Sequence, residues 1–288
     1  MDAQELILKA FDQRYQCYVA ERKRCREDFS EEAVHDMRIA SRRLLALVDL
    51  LQEVTPHLNL KNLRAVFKNQ LDSLDNLRDT QVMLAEFTEN IENLPELATL
   101  IKFLKKREKR LLEAAEHDVH EFKLTRIARQ IENTRTNLAS LNAEQELSPR
   151  LLPALDNARL KVNQRLQAVD PSQPFTIHRV RIAFKKFRYM LEIIAPILPE
   201  FPKTLFKTMH DYQASMGEIQ DVEVMLRTLE DYSDGHPAYD SQPVRLFYEK
   251  RHTESIHAFI EDMQEFVTFW RPSPMETFPW ENQKKEPL

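Results

Sequence analysis

The sequence predicts an all-α protein built as two four-helix bundles related by an internal pseudo-two-fold duplication. Three observations carry this. Only two glycines occur in 288 residues, too few for the positive-φ turns of a β-rich chain. Leu, Glu, Lys, Arg, Gln and Ala dominate, and all are good helix formers. One pattern occurs twice: Val34 to Leu44 and Ile177 to Phe187 each give a His, a cation three residues on, and two adjacent cations seven and eight on.

Prolines from Pro56 to Pro243 punctuate segments of helical periodicity. Helices are expected at about 3–28, 31–54, 58–92, 95–119, 122–141, 149–169, 176–197, 202–231 and 243–270. The repeat extends past the His pattern. Leu77 to Leu84 matches Ile219 to Leu226, with an offset of 143 residues at the histidines and 142 at Asp79 and Asp221. A near-constant offset over a stretch of this length indicates internal duplication. Residues 1–147 then form the first half with 122–141 as a connector, and 148–270 form the second. The proline-rich segment 271–288 is expected to be poorly ordered, with Trp280 as its one local anchor.

The two helices that carry the pattern are two-sided. At about 100° per residue, His35, Arg38 and Arg42 share a face, as do His178, Arg181, Lys185 and Arg188. Met37, Leu44, Leu47, Val48 and Leu51 lie opposite the first row. Val180, Ala183, Phe187, Met190, Leu191 and Ile194 lie opposite the second. The apolar sides must build the core. The basic sides must face solvent or a cleft, because burying several unpaired cations is prohibitive. Seven helical residues span about 10 Å, so each row offers cations at steps that suit a run of phosphates. Arg is apt because its fork contacts two phosphate oxygens. Fourteen residues past each His sits an acid, Asp49 or Glu192, expected to hold a neighbouring Arg in place.

Neighbouring helices add cations at helical spacing: Lys61, Arg64 and Lys68 in the first half, Lys203, Lys207 and His210 in the second. Lys102, Lys105, Lys106 and Lys109, with Arg107 and Arg110, form a stripe expected to be a solvated face near Glu108, Glu113 and Glu116. Arg245, Lys250 and Arg251 are its thinner counterpart. Asp79 and Asp221 are expected to pair with a neighbouring helix or with the basic rows. His117, His120, His236, His252 and His257 are expected to be structural.

The formal net charge of −5 disfavours unspecific nucleic-acid binding, which goes with a basic domain. Few aromatics interleave with the cations, so stacking platforms are absent. A local basic groove in an acidic protein fits a selective anion site better. Cys17 and Cys25 have neither disulfide nor metal spacing and point to a reducing, cytoplasmic setting. The opening Met-Asp-Ala-Gln-Glu has no signal-peptide character, and no stretch approaches 18 apolar residues. P-loop, Gly-rich phosphate turn, nucleophile elbow and zinc spacings are all missing, and no cofactor is expected. His35-Asp36 offers the alternative of a metal-dependent phosphohydrolase acting on polyphosphate or nucleotides. The second copy reads His178-Arg179, so the repeated feature is not the His-Asp pair.

The doubled His-x-x-Arg-x-x-x-cation-cation motif, with Arg78-Asp79 and Gln220-Asp221, resembles the CHAD domain, the conserved histidine α-helical domain, over about residues 3 to 270. The resemblance implies two four-helix bundles with pseudo-two-fold symmetry. It also implies non-catalytic binding of inorganic polyphosphate in a central basic groove, in some members at polyphosphate granules. Carried across by motif, the polyphosphate-binding residues would be His35, Arg38, Arg42 and Arg43, and His178, Arg181, Lys185, Lys186 and Arg188. Lys61, Arg64, Lys68, Lys203 and Lys207 are placed by helix spacing alone. Leu45 stands where the second copy has Arg188, and Gln220 where the first has Arg78, so the site is expected to be asymmetric. The Glu-x-Glu-x-Lys motif of the triphosphatase domain often fused to CHAD domains is missing, and with it an obvious source of catalysis.

Overall fold

A computed structural model describes residues 2–142 and 147–282, and these contain helices and turns but no strand. Helix α1 spans Ala3–Glu27 and α2 spans Glu31–Val54. Each opens on a side-chain cap: Glu5 N–H donates to Asp2 Oδ1 at 2.8 Å, and Ala33 N–H donates to Ser30 Oγ at 3.3 Å. There follow α3 (Lys61–Asp72), α4 (Asp75–Asn90), α5 (Leu97–Glu121), α6 (Thr125–Ser140), α7 (Ser148–Gln167), α8 (Phe175–Ile194), α9 (Leu205–Gly235) and α10 (Gln242–Asp262). A 3₁₀ segment, Met263–Phe269, and a short α11, Pro279–Asn282, close the described chain.

One expected helix is two. The 58–92 segment breaks at Ser73 and Leu74 into α3 and α4. Ser73 Oγ donates to the Gln70 carbonyl at 3.0 Å, and Leu74 N–H reaches back only three residues, to Leu71. Ser215, at the matching position of α9, makes the same bond to the Tyr212 carbonyl at 2.9 Å with the helix unbroken, so this bond alone does not end α3. Leu74 is wholly buried, in a cluster with Val34, Met37 and Leu77. Periodicity does not register the break, because apolar positions continue at helical spacing on both sides of it. The second-half counterpart, α9, runs unbroken for 31 residues.

The buried clusters do not divide at the repeat boundary. The largest joins α1, α2 and α3 with α6, α7, α8 and the first half of α9, and centres on aromatic residues such as Phe184, Phe187, Phe266 and Trp270. A second joins α4 and α5 with the far half of α9 and with α10. Helix α9 serves both, giving Met209, Met216 and Ile219 to the first and Val222, Met225 and Leu229 to the second. Each core therefore draws on both halves of the sequence, and α2 packs against α8 while α4 packs against α9. The residues read as opposite the basic rows do face inward. Met37, Leu44, Leu47, Val48, Leu51, Val180, Phe187, Met190, Leu191 and Ile194 are fully buried, and Ala183 is partly so.

Part of the segment expected to be poorly ordered is packed: Phe278 and Trp280 are buried, while Pro272 and residues 274–277 are exposed, and residues 283–288 lie outside the described chain. Trp270 donates through Nε1 to Asp156 Oδ1 at 2.7 Å, and Arg271 pairs with the same carboxylate at 2.6 Å. Phe278 and Trp280 stack at 4.6 Å, Trp280 meets Phe201 edge-on, and its Nε1 donates to the Pro199 carbonyl at 3.1 Å. Aromatic burial of this kind outweighs the reluctance of a proline-rich segment to order. Trp280→Ala should cost about 3 kcal/mol, read as a lower urea midpoint at unchanged slope. A loss below about 0.5 kcal/mol, the scale of an ordinary surface change, would show that this segment is not part of the core.

Candidate anion-binding cleft

The two basic rows meet. Helices α2 and α8 lie side by side with their apolar faces in the common core, which leaves the cationic faces on one shared side. A cleft of about 380 Å³ opens there, lined by Arg42, Leu45 and Asp49 of α2, Arg64, Lys68 and Asp72 of α3, Asp75 of α4, and His178, Arg181, Ile182, Lys185, Lys186 and Tyr189 of α8. At roughly 30 Å³ per water, that is room for several tetrahedral oxyanions in line.

Its charges fall into two classes. Arg64 and Lys186 share Asp49, at 2.5 and 3.3 Å, and Lys68 takes Asp72. Arg38, only 4% exposed, lies behind the cleft wall. It pairs with Asp75 at 2.5 Å and donates to the Leu71 carbonyl at 3.3 Å. The helix break makes that carbonyl available, since α3 ends there. Arg42, Arg181 and Lys185 are different: none has an ion-pair partner within 4 Å among the described residues. Arg181 Nε is buried with no hydrogen bond, and so is His178 Nδ1.

The electrostatics show how closely these three are held. Burial is the main cause that brings Lys185 down from 10.5 to about 6; Arg181 and Arg42 push the same way, and Asp221 opposes. Arg42 falls to about 10 through burial and then Arg38. Arg181 is lowered by burial, against Asp221 and Asp79. His178 is lowered by burial and then Arg181. Asp79 on α4 and Asp221 on α9 lie close enough to feel these cations, yet burial raises both carboxyls above their ordinary range. Cations pushed down and acids pushed up share one cause, a poorly hydrated pocket whose charges are incompletely compensated.

The structure brings together Arg38, Arg42, Arg64, Lys68, His178, Arg181, Lys185 and Lys186 from the residues expected in the site. Others point elsewhere. His35 is exposed at a separate hollow with Glu31, Glu32 and Arg78, where Arg78 pairs with Glu31 at 2.5 Å. Its imidazole is lowered by burial and then by Arg78. Arg43 turns to a groove between α1 and α8 and meets Glu192 at 3.7 Å. Arg188 is buried against Tyr189 and Glu192, at 4.0 Å from the carboxylate. Lys61, Lys203 and Lys207 are exposed and line no part of the cleft. Asp36, of the His-Asp pair, is taken by Arg24 at 2.7 Å. The stripe on α5 is exposed at its lysines, and only Arg107 comes near enough to influence Asp79. Its thinner counterpart is used inside the protein, where Arg251 ties α10 to Glu86 of α4 and to Glu218 of α9.

Asp49 and Glu192 hold cations as expected, but across the seam. Asp49 of α2 pairs with Lys186 of α8, and Glu192 of α8 pairs with Arg43 of α2. Under the 143-residue offset these are the same pair twice. Such reciprocity is what a local two-fold between two elements requires. Asp75 and Gly217 were missed by reading motifs singly. They stand at matching positions of the repeat, 142 residues apart, and comparing the copies position by position exposes the difference.

No curated protein matches the chain. Among solved structures it is similar to the CHAD domain from the plant Ricinus communis, with a TM-score of 0.66 and 18% identity over 95% of this chain and 90% of that one. It is also similar to PptA from Streptomyces chartreusis, with a TM-score of 0.62 and 14% identity over 94% and 100% of the two chains. These likenesses concern the fold. The CHAD domain family model matches residues 9–230, and with three-quarters of its length so matched the chain belongs to the CHAD domain family.

Proposed function

We propose that the protein binds inorganic polyphosphate, without chemistry on it, in the cleft between α2 and α8. The observation that carries this is the trio Arg42, Arg181 and Lys185: three basic side chains from both rows, side by side, with no carboxylate within 4 Å among the described residues. A fold that collects such a set pays for it in like-charge repulsion and desolvation, and a bound polyanion removes both penalties at once. The neighbours that do have carboxylates, Arg64, Lys68 and Lys186, keep their ammonium and guanidinium groups at the cleft wall and extend the track beyond the trio. Inorganic polyphosphate fits better than nucleic acid. It carries charge on every unit and no base or sugar to seat, while the cleft's uncharged lining is Leu45, Ala46, Leu71, Ile182 and one aromatic, Tyr189.

The double change Arg42→Ala and Arg181→Ala should weaken binding of a long polyphosphate about a hundredfold, from two charge-assisted contacts of about 1.5–3 kcal/mol each, part of which water restores. The dependence of log affinity on log salt should become shallower by about 1.5 for the two lost contacts. Titration calorimetry at three salt concentrations measures both. Wild-type affinity in the double mutant would place the site elsewhere, and a comparable loss from Lys106→Glu would move it to the α5 stripe. Phosphate released in the same cuvettes on adding Mg²⁺, and abolished by His35→Ala, would replace binding by hydrolysis.

Binding should also take up protons. In the free protein Lys185 titrates near 6, so it is mostly neutral at pH 7.5. A bound anion favours the charged form and raises that value. Between the free and the bound value the complex holds a proton that the free protein lacks, so affinity falls as pH rises through this window. Calorimetry at pH 7.5 in phosphate-free buffers of different ionisation enthalpy should report net proton uptake, and Lys185→Met should remove most of it. Equal heats in all buffers would contradict the linkage.

A further inference from the structure

The cleft is lopsided, and two residues make it so. In the first copy of the repeat, Arg38 is buried against Asp75 at 2.5 Å. In the second copy the matching arginine is Arg181, and the position that matches Asp75 is Gly217. Around it the copies keep step: Ser73 and Ser215, Leu77 and Ile219, Asp79 and Asp221. Where one arginine has a carboxylate, the other has a hydrogen atom.

Gly217 is not there for its backbone. No glycine of the described chain has a positive φ, and a glycine inside a helix costs roughly 1 kcal/mol relative to alanine. A Cβ at this position would stand 3.4 Å from Arg181 Nη2 and 3.5 Å from Nε, an ordinary contact, so what the position lacks is a carboxylate and not space. The guanidinium lies directly on the α9 backbone, without a counterion and with Nε unbonded. Asp75, by contrast, has a side chain 47% exposed at the cleft wall. It can release Arg38 by turning into water, a movement closed to a carboxylate that is itself buried.

We propose, resting on the anion-cleft reading above, that Asp75 is a built-in counterion that competes with the bound polyanion for Arg38. The Arg181–Gly217 side of the cleft then takes phosphate outright, and the Arg38 side takes it only by displacing Asp75. Asp75 is thus a determinant of affinity, not a ligand.

The test titrates long-chain sodium polyphosphate into the full-length protein and three variants at several salt concentrations. Asp75→Asn should tighten binding about five- to tenfold, the worth of one freed charge-assisted contact. It should also steepen the salt dependence by about 0.7 to 0.9, the share of one further phosphate contact. Gly217→Asp, which installs on the second side the carboxylate found on the first, should weaken binding by a similar factor and flatten the dependence. Where Asp75→Asn fails to fold because Arg38 loses its partner, Gly217→Asp decides, since it leaves the Arg38 pair intact. Unchanged affinity and salt dependence in Gly217→Asp, or weaker binding in a folded Asp75→Asn, would overturn the proposal. If wild type binds and the Arg42→Ala, Arg181→Ala variant does not, such a result removes the counterion alone. If wild type does not bind polyphosphate, the cleft assignment falls and this proposal with it.

Discussion

The packing of α2 on α8 is the constraint on which the rest depends. Both helices give their apolar faces to one aromatic-rich core, and that choice leaves each cationic face nowhere to go but toward the other. The reciprocal pairs, Asp49 with Lys186 and Glu192 with Arg43, then close the seam on either flank. With the flanks stitched by opposite charges, the middle is left to Arg42, Arg181 and Lys185. Individual ion pairs with half-exposed partners stabilise little. Their value here is geometric: they fix the register in which Arg42, Arg181 and Lys185 stand together.

A net charge of −5 and a cationic cleft are compatible because the two act at different ranges. Beyond roughly 8–10 Å at physiological ionic strength, solvent screens the exposed acids from the cleft. Inside it, the local cations dominate. Such a protein gains little from long-range attraction of nucleic acids or membranes, and what it binds it must bind by contact. On the proposed function this suits a ligand that offers a phosphate to every cation in turn.

Much of this was legible in the sequence, for a physical reason. A helix fixes angular position, so the spacing of His178, Arg181 and Lys185 against Val180, Phe187 and Met190 was enough to say which side faced the core. What spacing could not give was the fate of residues at the edges of a face. Arg42 and Arg43 are adjacent and so about 100° apart. The first lines the cleft, and the second swings to Glu192. His35 sits one turn above Arg38, yet α4 brings Arg78 and α2 its own Glu31 and Glu32 to that end, so it opens on a different hollow. The break at Ser73 and Leu74 was illegible for a related reason. Hydrophobic periodicity reports which side is buried, not whether the backbone hydrogen bonds run on beneath it.

Arg38 shows why the cleft could not be made symmetrical without cost to the fold. At 4% exposure its guanidinium needs partners to offset the cost of burial, and the break in the α3–α4 segment supplies two, the Leu71 carbonyl and Asp75. Its counterpart Arg181 is less deeply buried, and the continuous helix α9 offers it only a glycine to rest on. One copy of the repeat therefore spends its arginine on holding α2 to α4, and the other keeps its arginine free at a small loss of stability. A bare Arg38 would leave the seam between α2 and α4 with the Arg78–Glu31 pair, whereas Arg251 of α10 reaches both Glu218 of α9 and Glu86 of α4. The asymmetry follows from which helix is broken: α3 ends at Asp72 and α4 begins at Asp75, whereas α9 runs on through the matching positions.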